Sequence, residues 1–121
     1  MNNTPSLGDR MKRYERSYSH ELTIKTPVIV RVDGRAFHTF TKGHEKPFAM
    51  KIINPMLEAA EEVAAEIQGF KLGYVQSDEA SFLITDNDQI TTEGWFGYNM
   101  SKIISISASI MSANFNRYYE I

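Results

Sequence analysis

Pro27-Val28-Ile29-Val30-Arg31-Val32-Asp33-Gly34 is the stretch on which the fold turns. It is β-branched and almost continuously apolar, which predicts a strand over 27–32 of the central kind, covered on both faces. Pro27 lacks an amide donor and fits only the start. Asp33-Gly34 ends the run with a carboxylate and then a residue without a Cβ, whose backbone can approach a ligand closely.

Working outward, Asp9 to Ser19 is charged, with Met11, Tyr14 and Tyr18 at helical spacing. This predicts a short helix capped near Asp9, carrying the basic cluster Arg10, Lys12, Arg13 and Arg16. Downstream, Ile52, Ile53, Met56, Leu57, Ala60, Val63, Ala64 and Ile67 share a helical face. Pro55 suits a first turn with Asn54 as cap, so the expectation is a lead-in at 48–53, a helix at 55–68 and a stop at Gly69. Phe70–Gln76 and Ala80–Thr85 read as strands joined by a tight turn at Ser77-Asp78. Residues 95–117 carry both signals. Ile104, Ile106, Ala108 and Ile110 alternate with serines, yet Asn99, Ile103, Ile106, Ile110 and Ala113 make a helical face. Length favours a helix, since strands seldom exceed about ten residues, and its serines would let it sit close to a sheet.

The order strand, helix, strand, strand, helix is α+β. It is most of the split βαβ, ferredoxin-like motif, with an antiparallel sheet, helices on one face and the final strand missing. A crossover makes the first two strands parallel, so their C-terminal ends share one edge of the sheet. The third strand lies between them. Asp33 and Asp78 are then spatial neighbours although far apart in sequence. Converging carboxylates repel unless a cation intervenes. Magnesium takes oxygen ligands, often one or two carboxylates plus phosphates, and two such ions could activate an attacking hydroxyl and stabilise a leaving group. Backbone amides of residues 34–38 could cradle phosphate oxygens. Without a fourth strand the first would be an apolar edge open to pairing, which predicts self-association into a homo-oligomer or an added covering segment.

The 121 residues and 42% hydrophobic content suit a single domain spanning 1–121. A net charge of −2 announces no broad nucleic-acid field, and the absence of cysteine excludes disulfides and thiolate chemistry. No run is long enough for a membrane span, so a cytoplasmic protein with no membrane partner is expected.

Arg31-Val-Asp-Gly-Arg-Ala-Phe-His38, Lys46-Pro47 and Gln76-Ser-Asp-Glu79, in that order, resemble the tRNA-histidine guanylyltransferase family, and in particular its bacterial-type branch. Leu7 to Glu15 and Trp95-Phe96 through Asn116 fit as well. The resemblance implies a polymerase-type palm domain that adds nucleotides to tRNA 5′ ends in the 3′–5′ direction, with GTP and ATP as nucleotides, two Mg2+ ions as cofactors and tRNA as partner. The bacterial-type branch implies repair of 5′-truncated tRNAs. Carried over by position, Asp33, Asp78 and Glu79 would be catalytic. Asp33 and Asp78 would bind metal through carboxylates, and Gly34 through its carbonyl. Gly34, Arg35, Ala36, Phe37, His38, Lys46 and Ser77 would contact the nucleotide. Two departures stand out: Phe48-Ala49 follows Lys46-Pro47 in place of a polar pattern, and family members are about twice as long. Reduced or absent turnover by this chain alone is therefore expected. A nucleotide cyclase, or a palm-fold module that binds without turnover, are the competing readings.

Overall fold

The computed structural model describes residues 4–34 and 50–119. Its elements are α1 (Leu7–Arg16), β1 (Val28–Asp33), α2 (Met50–Glu66), β2 (Phe70–Gln76), β3 (Glu79–Ile84), a 3-10 turn (Trp95–Tyr98) and α3 (Met100–Tyr119). The three strands form one sheet in the order β1-β3-β2, with β3 antiparallel to both neighbours. Strands β1 and β2 are therefore parallel, as the crossover through α2 requires. The α+β, ferredoxin-like architecture expected from the sequence is the one observed.

Alternation decides which face meets the helices. Ala80, Phe82 and Ile84 of β3 are buried and stand opposite Val32, Val30 and Val28 of β1. On the other side they face Val75, Gly73 and Phe70 of β2. A bulge between Phe70 and Leu72 gives β2 one extra residue without spoiling this inner row. Helices α2 and α3 pack against each other and cover that face. Ile52, Met56, Ala59, Val63 and Ile67 bury from α2, and Ile103, Ser107 and Met111 from α3.

Several sequence expectations are corrected. β1 is covered on one face and not on both, Ile29 being 72% exposed on the outer face, while its place at the edge of the described sheet is the one expected without a fourth strand. It also runs one residue further, so Asp33 is its last residue. α1 starts at Leu7 with Ser6 as its cap, the Ser6 Oγ accepting from the Asp9 amide at 3.1 Å. α2 is continuous over Met50–Glu66 with Pro55 inside it. A proline close to a helix start removes only one intrahelical bond, and here the ring is buried. The buried stripe of α3 is rotated from the expected face. Asn99 sits outside the helix as its cap, its Oδ1 accepting from the Lys102 amide at 3.0 Å, and Ile106 is exposed. Only Ser107 among the serines at 105, 107 and 109 is buried, returning its hydroxyl to the Ile103 carbonyl at 2.6 Å.

At the end of the sheet where β1 begins, Lys25 clasps two loops together. Its amide donates to Asp86 Oδ2 at 2.8 Å. Its ammonium donates to the carbonyls of Asp86, Gln89 and Thr92 at 2.7, 3.2 and 2.6 Å. Tyr98 is fully buried beside them, its hydroxyl donating to the Thr26 carbonyl at 3.3 Å. Burial pushes the Tyr98 phenol above its usual value, and the nearby Asp86 charge adds to the shift. The unfolded chain therefore gives up this proton first, and stability present below pH about 10 falls as pH rises toward the folded value. Tyr98→Phe is expected to flatten that alkaline decline, measured as unfolding free energy from pH 8 to pH 11.

Gly69 closes α2 with φ of +83°, and a Cβ there would lie 2.2 Å from the Thr85 carbonyl oxygen. Gly69→Ala is expected to cost at least about 2 kcal/mol in urea unfolding, combining left-handed strain with that clash.

Candidate functional site

The acid edge is built by the last rung of the sheet. Asp33 pairs in register with Glu79, and Gln76 pairs with Glu79 from the other side. Ser77 and Asp78 form the two-residue turn between β2 and β3, with Ser77 at φ +54°. Primed hairpin turns need a positive φ at their first central residue, a conformation that costs an L side chain about 1 kcal/mol or more. The Gly34 amide donates to the Asp78 carbonyl at 2.9 Å. That bond ties the loop after β1 to the hairpin tip.

The structure thus brings Asp33, Gly34, Ser77, Asp78 and Glu79 to one edge. Asp33, Gly34 and Asp78 also line a shared groove of about 680 Å³ that runs along β1 beneath α3, past Val30, Ile103 and Met111. The other sequence-derived site residues, Arg35, Ala36, Phe37, His38 and Lys46, lie outside the described residues. Among the described residues, no group of three or more His, Cys, Asp or Glu converges into a ready-made metal cage. An edge offering two carboxylates and a carbonyl still fits magnesium, whose remaining ligands would be phosphate oxygens and water.

Sequence reading left one residue out of the site. Arg31 stands two residues before Asp33 on the outer face, and its Nη2 donates to Asp33 Oδ2 at 3.1 Å. The same nitrogen pairs with Glu79 across the strand gap. The Arg31 and Asp33 side chains are 59% and 54% exposed and that of Glu79 is 28% exposed. Such pairs add at most about 1 kcal/mol to stability. The signal was present: residues two apart on a strand share a face.

A cationic side chain already pairs with these carboxylates, so the donor set is of the kind that draws cations. The family model for tRNAHis guanylyltransferase, Thg1, matches residues 8–120. The chain belongs to the tRNAHis guanylyltransferase family. It is 34% identical to the tRNA(His) guanylyltransferase of Schizosaccharomyces pombe over 107 residues, which is 87% of this chain and 38% of that protein. It is 31% identical to uncharacterized protein R259 of Acanthamoeba polyphaga mimivirus over 121 residues, 95% of this chain and 41% of the viral protein. Its fold superposes with a TM-score of 0.86 and 50% identity on a bacterial tRNA(His) guanylyltransferase (Thg1)-like protein in complex with ATP, over 93% of this chain and 50% of the other. A bacterial tRNA(His) guanylyltransferase (Thg1)-like protein in complex with GTP matches with the same TM-score and identity, over 93% of this chain and 54% of the other. The chain spans about two fifths of the curated guanylyltransferase-family relatives and about half of the solved ones.

The turn gives a direct check. Ser77→Gly is expected to change stability by less than about 0.5 kcal/mol, while Ser77→Val, β-branched at positive φ, costs about 1–3 kcal/mol. Denaturant midpoints of the two variants make the comparison.

Proposed function

We propose that the protein is a magnesium-dependent nucleotidyltransferase that adds guanylate, or another nucleotide, to tRNA 5′ ends in the 3′–5′ direction. The observation that carries this is the Gly34–Asp78 backbone bond beneath the Asp33–Glu79 rung, which makes one site of two distant acid motifs. The family match and the ATP and GTP complexes of the similar bacterial protein supply the substrate class.

In this reading Asp33 and Asp78 hold magnesium through their carboxylates and Gly34 through its carbonyl. When bound, the ions would neutralise triphosphate charge and sharpen a hydroxyl nucleophile. The chain's own part is to position. β1 and β3 hold Asp33 and Glu79 outward, and the turn presents Ser77 beside Asp78. Arg35 to His38 and Lys46 are assigned to nucleotide phosphates by position in the motif. A tRNA-processing role fits a cytoplasmic protein. β1 pairs only with β3 among the described strands, and its other edge is where we expect a second copy or a covering segment to pair.

GTP binding measured by calorimetry is expected to require Mg2+ and to weaken at least about tenfold in Asp78→Asn, equivalent to the loss of one charge-assisted contact. Incubation with a 5′-truncated tRNA and labelled GTP then reads extension. Metal-dependent binding without extension would assign a nucleotide-binding module instead. Binding that ignores both Mg2+ and Asp78→Asn would refute the site.

A further inference from the structure

The guanidinium of Arg31 sits where a metal ion would compete for the same oxygens. One nitrogen bridges Asp33 on the edge strand and Glu79 on the central strand. We propose that Arg31 is a resident counter-ion that a divalent cation must displace from Asp33, so that its charge sets the metal affinity of this edge. The inference rests on the reading above that these acids hold magnesium.

Three observations support an exchangeable role over a structural one. The pair is solvent-exposed, so its strength is modest and screened by salt. The stem of Arg31 lies on the uncovered outer face, where it can swing without disturbing the core. Its opposite residue on β3 is Ser81, which offers no competing charge. Arginine does not give up its proton in proteins, so release is by side-chain movement and not by titration. The Nη2 donor occupies one lone pair of Asp33 Oδ2 and competes with a metal for that oxygen, and a positive charge within about 4 Å opposes an arriving dication. Once displaced, the guanidinium remains beside the site, with a fork geometry suited to phosphate oxygens. Arg31 is thus a positioning residue that acts through Asp33 and Glu79.

The test is Mn2+ binding to the nucleotide-free chain, read by the electron paramagnetic resonance signal of free Mn2+. Arg31→Gln is expected to bind Mn2+ about three- to tenfold more tightly than the wild type at low ionic strength. Arg31→Lys stays within about twofold, and the gap closes near 0.5 M salt, where the screening length is only about 4 Å. Arg31→Met supplies a second neutral variant, and unfolding midpoints of all four proteins establish that the fold is kept. If the wild type binds Mn2+ and the neutral variants bind it equally or more weakly, the counter-ion role is overturned while the metal site stands. If the wild type binds no Mn2+, the metal reading falls and takes this inference with it.

Discussion

Strand β3 is hydrogen-bonded on both sides, and its register on β1 and β2 governs everything at the acid edge. Ala80, Phe82 and Ile84 are at most 1% exposed and lock the inner row. Burying side chains of the size of Phe82 and Ile84 contributes about 1.5–3 kcal/mol each. The Arg31 pairs on the outer face contribute at most about 1 kcal/mol. The core therefore sets the register, and the Asp33–Glu79 rung follows from it. A slip of one residue would turn the buried row outward and carry the carboxylates to the helix side. The site is thus a by-product of apolar packing, with little stabilising role of its own.

The two ends of the sheet are built on different principles. Where β1 begins, Lys25, Asp86 and Tyr98 interlock through many hydrogen bonds, and the loop carbonyls are satisfied by one ammonium. Where β1 ends, the backbone bond from Gly34 to Asp78 joins the residue after the strand to the hairpin turn, and the side chains remain partly exposed. Lys25 braces the first end by satisfying the loop carbonyls and Asp86 Oδ2, although Asp86 Oδ1 and Thr85 Oγ1 are buried there without a partner among the described residues. Polar groups left partly in water keep their capacity for outside ligands at the second.

Much of this was legible in the residues. The crossover topology and the turn at Ser77-Asp78 followed from period-two and period-3.6 patterns, and the meeting of Asp33 with Asp78 followed from the topology. What was misread has physical causes. The apolar run of β1 resembles a buried central strand because Ile29 is apolar yet exposed, and hydrophobicity alone does not report which neighbours are present. Pro55 looked like a helix start because local propensity favours that position, but tertiary burial carried the helix through it. Asn99 falls on the helical period of a buried face, but its side chain serves the helix end. Arg31 was passed over because motif reading attends to the acids, although strand alternation alone places Arg31 and Asp33 together.

The charge at this edge constrains how a nucleotide could arrive. Three carboxylates and the Arg31 guanidinium stand here among the described residues, leaving a net negative patch on a chain whose overall charge is already −2. By itself such a patch repels a bare triphosphate, and Arg35 and Lys46 are the chain's own cations assigned above to its phosphates. Under the proposed function, divalent cations that come with the nucleotide or before it would relieve the repulsion that remains. An ion that binds Asp33 would compete with Arg31 for it, and that displacement would free a guanidinium suited to an anion. Cation and nucleotide would then favour one another's binding by the same exchange, a coupling that requires no movement of the backbone.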